Sequence, residues 1–293
     1  MEIDETDSRN TSNAHGGASA VVGGILRLST SEVSDPGLAY PTKPYNVSKK
    51  QYRGLCLVIN QRNFDRSTGQ SQRDGTDADA DRVHRVFRAL GYCVSCYLNV
   101  NRERFMQLLK EMSAADHSHF DSFVCVILSH GANGVIFATD GPIPVDTVVG
   151  YFRGKQCPTL VSKPKMFFFQ ACRGTTFDEG SAIPMVTDAA GDVVVTKLPS
   201  EADILVSHST VPGYFAWRNS SSGSWFIQEL CRVLEAEMET KNPNDIVRLL
   251  TVVARCVAYQ YRSNTGMPDS HDKTQMTSTT STLTRLVYLG RSP

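Results

Sequence analysis

Residues 165–174 read Lys-Met-Phe-Phe-Phe-Gln-Ala-Cys-Arg-Gly. The apolar run of Met166 through Phe169 is the pattern of a strand covered on both faces. It stops at Gln170, and the next four residues include a thiol, a cation and a glycine. Residues 120–131 (Phe-Asp-Ser-Phe-Val-Cys-Val-Ile-Leu-Ser-His-Gly) repeat this arrangement, with the apolar run ending in Ser129, His130 and Gly131. Residues 54–60 (Gly-Leu-Cys-Leu-Val-Ile-Asn) make a third buried run.

Amphipathic helices separate these strands. Residues 76–90 are acidic at the start and basic later, and Val83, Val86, Phe87 and Leu90 share one face. Residues 101–115 place Phe105, Leu108, Leu109 and Met112 at helical spacing. Further helices are expected at 145–152, 225–240 and 244–261. Further strands are expected at 92–98, 203–207 and 284–289, with a glycine-rich hairpin at 131–141. This β-α alternation predicts an α/β fold: a three-layer α-β-α sandwich on a six-stranded, mostly parallel sheet.

Two segments stand outside that pattern. Residues 1–50 are rich in Ser, Thr, Asn, Gly and Asp and read as a short flexible extension. Residues 175–200 are polar and irregular, a length of loop that is unusual in a compact domain.

Composition narrows the functional classes. Thirty basic residues balance thirty acidic ones, so no net charge draws the chain to nucleic acid or an anionic membrane. No apolar run reaches the roughly 20 residues of a membrane span. The acidic start, Met1-Glu2-Ile3-Asp4-Glu5, argues against a secretory signal. Eight cysteines in 293 residues are too sparse for a disulfide scaffold and point to a reducing, cytoplasmic setting. Cys93-x-x-Cys96 lacks a second ligand pair and sits in a strand pattern, so no metal site is expected. His117 and His119 read as solvated turn residues, and no cofactor is expected.

In doubly wound sheets, sites form at the carboxyl ends of the strands. His130 and Cys172 follow two such ends, 42 residues apart in sequence, and can meet in space. A free thiol titrates near pH 8.5, so an imidazole beside it must take its proton or hold the thiolate. Gly131 and Gly174 allow backbone N–H groups to approach a developing oxyanion.

Gln170-Ala171-Cys172-Arg173-Gly174 matches the nucleophile signature of the caspase family at every position. The resemblance extends to Arg73-Asp74-Gly75-Thr76-Asp77, Ser129-His130-Gly131, the 213–219 segment Gly-Tyr-Phe-Ala-Trp-Arg-Asn and the 223–226 segment Gly-Ser-Trp-Phe. It spans about residues 50–290 and is strongest to the executioner group with short prodomains.

The resemblance implies a cysteine endopeptidase that cleaves after Asp, prefers Asp-Glu-x-Asp and executes apoptosis. It makes Cys172 the nucleophile and His130 the acid/base, with the N–H groups of Gly131 and Cys172 as oxyanion donors. Arg73, Gln170 and Arg218 would line the primary specificity pocket, since two guanidinium forks hold a carboxylate in one plane. The groove would continue along Phe215, Ala216, Trp217, Asn219 and Trp225. Trp217 would meet the residue before the cleaved Asp, and Asn219 and Trp225 would favour Asp three residues before it. Where the family usually has Ser, this chain has Ala216, which keeps only its backbone for the substrate.

The resemblance also implies a zymogen. Residues 1–50 would be a prodomain, 51–188 a large subunit, 189–197 a linker and 198–293 a small subunit, with cleavage at Asp188, Asp192 and Asp7. Met185-Val186-Thr187 lacks the preferred acid, so an upstream initiator caspase is expected to cut at Asp188. Asp4-Glu5-Thr6-Asp7 is a self-match. The 284–289 strand would pair across a two-fold axis in a homodimer of large–small pairs. Protein substrates with exposed Asp loops, inhibitor-of-apoptosis proteins and nuclear entry after activation follow from the family. Two other readings remain: a catalytically silent regulator with the same fold, against which the intact Cys172, His130, Arg73 and Arg218 speak, and a related peptidase cleaving after Arg or Lys, which would need acids where Arg73 and Arg218 stand.

Overall fold

The central runs fold as the expected parallel strands: β1 (Gly54–Asn60), β2 (Tyr92–Leu98), β3 (Ser122–Leu128), β7 (Lys165–Gln170) and β8 (Ile204–His208). The computed structural model describes residues 44–45, 51–174, 176–178 and 200–290. A sixth strand, β11 (Ser278–Ser281), runs antiparallel beside β8, and the order across the sheet is β11-β8-β7-β3-β1-β2. The strand order reverses direction between β1 and β3, and it is at such a switch point that crevices open.

Alternating side chains sort the core into two layers. Val58, Val126 and Phe168 face helices α1 (Thr76–Ala89), α4 (Trp225–Met238) and α5 (Ile246–Gln260), meeting Val83, Phe87, Phe226, Leu230 and Val253. Leu57, Ile59, Cys125, Ile127, Phe167 and Phe169 face α2 (Arg102–Ala114) and α3 (Val145–Gly150), meeting Phe105, Leu109 and Val148. Both faces are therefore apolar, which is why these strands show no polar alternation. Asn101 caps α2 by accepting from the Arg104 N–H at 2.9 Å, and Asp245 caps α5 through the Val247 N–H at 2.9 Å. The expected hairpin at 131–141 is a three-stranded miniature sheet of β4 (Gly131–Ala132), β5 (Val135–Ala138) and β6 (Gly141–Pro144). No helix among the described residues is long and apolar enough to cross a membrane.

Three expectations change. His117, read as a solvated turn residue, is fully buried, its Nε2 2.7 Å from Met112 O and its ring edge-on to Phe123. Residues 284–289 are not a strand: Leu286 makes an isolated bridge with Pro44 and Tyr288 one with Asp245. Val287 and Leu289 are buried with α4 and α5, so their alternation reflects anchoring in the helical layer. The edge strand is instead Ser-Thr-Thr-Ser, a mostly exposed stretch with no apolar period to reveal it. Pro44 and Tyr45 also lie within the stretch read as a flexible extension, yet they pack onto the body. Tyr45 is 6% exposed, and its hydroxyl donates to Asp203 Oδ1 at 2.5 Å.

Candidate active site

The register of β3 and β7 sets the heart of the site. Leu128 lies opposite Gln170 in the parallel ladder, and the Ser129 N–H donates to Gln170 O at 3.0 Å. His130 and Cys172 each come two residues later, so adjacent strands release them at the same height. Gly131 then packs directly on the nucleophile's backbone. A Cβ at Gly131 would stand 2.6 Å from Cys172 O and 2.9 Å from Ala171 Cβ, a space no other residue fits.

His130 is buried, and its Nε2 lies 2.8 Å from Ser71 O. A carbonyl only accepts, so Nε2 carries a hydrogen and Nδ1 keeps the lone pair that can take a proton. The Phe64 ring covers the imidazole at 4.9 Å. At Cys172, Sγ accepts from the Ala216 N–H at 3.5 Å and donates to the Ala216 carbonyl at 3.9 Å, so the thiol is held against the backbone of Ala216. Other cysteines have a different character: burial pushes the thiols of Cys56, Cys125 and Cys231 far up, and they pack as small hydrophobes. All eight cysteines are unbridged.

The residues expected to line the specificity pocket come from the turn before α1 (Arg73), from a short strand (Arg218) and from the end of β7 (Gln170). Arg73 is fully buried, and one guanidinium nitrogen donates to Gln61 O at 3.0 Å and to Thr76 Oγ1 at 2.7 Å. Arg218, in the short strand β9 (Arg218–Asn219), donates from Nε to the carbonyl of Asp74 at 2.6 Å. That bond ties one arginine to the residue beside the other. Gly75 makes the approach possible: it has φ +82°, and a Cβ there would sit 2.2 Å from Asn219 O. At the end of β7, both polar atoms of the Gln170 amide are buried without a hydrogen-bond partner among the described residues. Buried donors of this kind cost free energy until something satisfies them. A carboxylate is the chemistry that two guanidinium groups and an amide N–H accommodate.

The outer groove follows residues 215–225. Phe215, Ala216 and Trp217 are buried, and the Trp217 N–H donates to Gln275 Oε1 at 2.6 Å. Trp217 stacks on Trp225 at 5.8 Å, and Trp225 on Tyr261 at 5.1 Å. Asn219 Oδ1 accepts from the Ser221 and Ser222 N–H groups at 2.8 and 2.9 Å, which leaves Nδ2 as that side chain's donor. Strand β10 (Gly223–Ser224) pairs Ser224 with Arg218.

Asp79 anchors this wall from the opposite side. It is fully buried and accepts from the Ser224 N–H at 3.0 Å, Ser224 Oγ at 2.7 Å and Gln228 Nε2 at 2.8 Å. Burial raises its pKa to about 6 against the pull of those bonds. Asp79 thus satisfies the N–H of the N-cap residue Ser224 at the head of α4, the bond that an acidic third residue makes in a capping box.

The structure sets His130 and Cys172 just beyond adjacent strand ends at Leu128 and Gln170, joins Cys172 to Gly131, Phe215 and Ala216, ties Arg218 to Asp74 beside Arg73, pairs Asn219 with Gly223, and stacks Trp217 on Trp225. Asp7, Asp188 and Asp192 lie outside the described residues. Sequence reading missed Ser71, Asp79, Phe177 and Gln275. Asp79 left a trace, a carboxylate at the head of the apolar stripe formed by Val83, Val86 and Leu90. Ser71 acts through its backbone, and Gln275 sits in a loop with no periodicity, so neither left one. Among the described residues no group of three His, Cys, Asp or Glu side chains is placed to hold a metal ion.

Comparisons with known proteins bear on this geometry. A family model described as the caspase domain matches residues 53–288. Caspase-3 of Mesocricetus auratus is 44% identical over 290 residues, covering 98% of this chain and 99% of that protein. Caspase-7 of Gallus gallus is 42% identical over 254 residues, covering 85% and 80%. The crystal structure of caspase-1 from Spodoptera frugiperda superposes with a TM-score of 0.77 at 34% identity, covering 86% of this chain and 95% of that one.

Proposed function

This chain belongs to the caspase family, and from that premise we propose how its residues divide the work of cleaving a peptide after aspartate. The protein is a cysteine-type endopeptidase of the executioner type, acting in apoptosis. The observation that carries the assignment of roles is the β3–β7 register, which brings His130 and Cys172 out of adjacent strand ends at one height.

His130 Nδ1 takes the proton of Cys172, and the sulfur attacks the main-chain carbonyl carbon of the substrate Asp. The N–H groups of Gly131 and Cys172 stabilise the oxyanion that forms. As the tetrahedral adduct collapses to a thioester, His130 gives its proton to the departing amine. A water then loses a proton to His130, adds to the thioester and releases the new carboxylate, restoring the thiol. The contact of His130 Nε2 with Ser71 O fixes the tautomer through both halves.

Arg73, Arg218 and Gln170 receive the substrate Asp side chain. Their stems are fixed before substrate arrives, so little ordering entropy is lost on binding. Glutamate would carry its carboxylate a methylene too far. The Asn219 Nδ2 donor and the Trp225 ring favour Asp three residues before the cleaved one, giving the Asp-Glu-x-Asp preference.

Activation follows by cleavage at Asp188 and Asp192 between a large subunit (51–188) and a small one (198–293), and at Asp7 in the prodomain. An initiator caspase makes the Asp188 cut. The homodimer of large–small pairs forms along β11, the sheet edge that 284–289 does not supply. Inhibitor-of-apoptosis proteins act on the processed enzyme, which works in the cytoplasm and enters the nucleus after activation.

The test is hydrolysis of matched peptides ending in Asp, Asn, Glu or Arg by the processed chain, beside a Cys172→Ala control. Cleavage after Asp alone, absent from the control, is expected. Cleavage after another residue, or none after Asp, overturns the reading.

A further inference from the structure

Two peptide groups in the site are fixed from behind, by donors to their carbonyl oxygens. A trans peptide is planar, so its C=O and N–H point in opposite directions, and holding one aims the other. The first group joins His130 to Gly131. Its carbonyl accepts from the Phe137 N–H at 2.9 Å. That bond makes His130 and Phe137 a hydrogen-bonded pair, so the next pair in the β4–β5 ladder, Gly131 with Ile136, is the non-bonded kind. The Gly131 N–H is therefore turned away from β5. The second group joins Ala171 to Cys172. Its carbonyl accepts from Ser209 Oγ at 3.0 Å, which turns the Cys172 N–H the opposite way.

Ser209 is itself firmly placed. It follows β8 directly and is fully buried. Its N–H donates to Phe169 O at 2.9 Å, and its carbonyl accepts from Gln275 Nε2 at 2.7 Å. Its hydroxyl also accepts from the Ala171 N–H at 3.2 Å. An amide N–H only donates and a carbonyl only accepts, so the single hydroxyl hydrogen goes to Ala171 O. On the other side of Ala171, the Gln170 carbonyl accepts from the Ser129 N–H at 3.0 Å. Both peptide groups that lead from β7 into the nucleophile are thus held, and Ser209 Oγ bonds to each of them. A hydroxyl that donates to a carbonyl also polarises that peptide and strengthens its N–H as a donor.

We propose that Ser209 is a positioning residue for the reaction, whose hydroxyl aims the Cys172 N–H at the oxyanion of the tetrahedral adduct. This rests on the functional reading above, in which the N–H groups of Gly131 and Cys172 stabilise that oxyanion. Phe137 does the same for Gly131 through its backbone. Ser209 is therefore the side chain through which the oxyanion site can be loosened while Cys172, His130 and the two arginines stay in place. Donors aimed in advance are effective because they need not turn as the charge appears. The bound substrate gains little from them before that charge forms, so the effect falls on kcat and not on KM.

The experiment makes Ser209→Ala in the processed enzyme and takes three readings. On an Asp-Glu-Val-Asp peptide, kcat should fall by at least about tenfold, part of the roughly 100- to 1,000-fold that loss of a whole oxyanion donor costs, with KM nearly unchanged. The affinity for the matching peptide aldehyde, whose thiohemiacetal oxygen takes the oxyanion's place, should fall in step with kcat. The rate at which iodoacetamide alkylates Cys172, read by peptide mass, should match the parent, since displacement of iodide by the thiolate creates no oxyanion. Ser209→Cys has nearly the same shape and a weaker donor. It should show the same pattern at smaller size, and it carries the test if the alanine variant does not fold. An unchanged kcat overturns the proposal. So does a joint loss of kcat and alkylation rate, the mark of a displaced nucleophile. Failure of the underlying reading has a different signature: no Cys172-dependent cleavage of the peptide by the parent.

Discussion

The Gly131 α-carbon packs so closely on Cys172 that a side chain there would begin 2.6 Å from the Cys172 carbonyl oxygen. The residue after the base and the backbone of the nucleophile are thus one contact. Gly131→Ala must separate the two strand ends. Because displacement of about 1 Å can cost on the order of 100-fold in rate, kcat should fall by about that much or more. KM should change less, since Arg73 and Arg218, which take the substrate carboxylate, stand on other segments. Steady-state kinetics beside a thermal melt checks this, and an unchanged kcat in a folded variant would contradict it.

Arg218 donates to the carbonyl of Asp74, and Arg73 donates to Gln61 and Thr76. Each spends part of its fork on the protein to aim the rest. Lysine has one ammonium and cannot do both. Arg73→Lys and Arg218→Lys should each lower kcat/KM for Asp peptides by roughly 100-fold, the loss expected of a bidentate charge-assisted contact. Neither should gain activity on Glu peptides. Kinetics on matched Asp and Glu substrates tests both statements.

Asp79 holds the groove wall as a buried carboxylate whose pKa is raised from 3.8 to about 6. For such a group the folded state binds the proton more tightly than the unfolded one. Its stabilising share is fully present below about pH 3.8 and is lost as pH rises through about 6. The loss amounts to about 3 kcal/mol between those limits at 1.36 kcal/mol per pKa unit. Asp79→Asn lacks that titration. The stability of the parent relative to the variant should therefore decline between pH 4 and 6 and level off above. Urea unfolding of both proteins across that range measures the difference, and parallel curves would remove Asp79 as the cause.

The Asp188→Ala, Asp192→Ala double variant should stay a single chain when exposed to an initiator caspase, while the parent yields two fragments. The parent's mature N-terminus should be Ser8. Mass spectrometry of the products reads both, and two fragments from the double variant would place the cut elsewhere.

The strands and helices of the central sheet are legible in the sequence, because apolar runs and 3.6-residue stripes report burial directly. The exception was β11, where polar residues at a sheet edge bury too little to leave a pattern. Val287 and Leu289 misled for the converse reason: they alternate because two side chains reach the helical layer from an irregular chain.

The sequence by itself determined the alternation of strands and helices, the two strand ends that carry His130 and Cys172, and the motif set that assigns them to a family. Those features are local, written in runs of neighbouring residues. Only the tertiary structure decided that the Ser71 carbonyl orients His130 and that Asp79 holds the N-cap residue of α4 across 145 residues of chain. Only the tertiary structure set Phe177 between Phe215 and Trp217. Each of these depends on how loops from separate strand ends pack together. A backbone carbonyl, a buried acid and a stacked ring gain their roles from neighbours distant in sequence, so no local pattern encodes them.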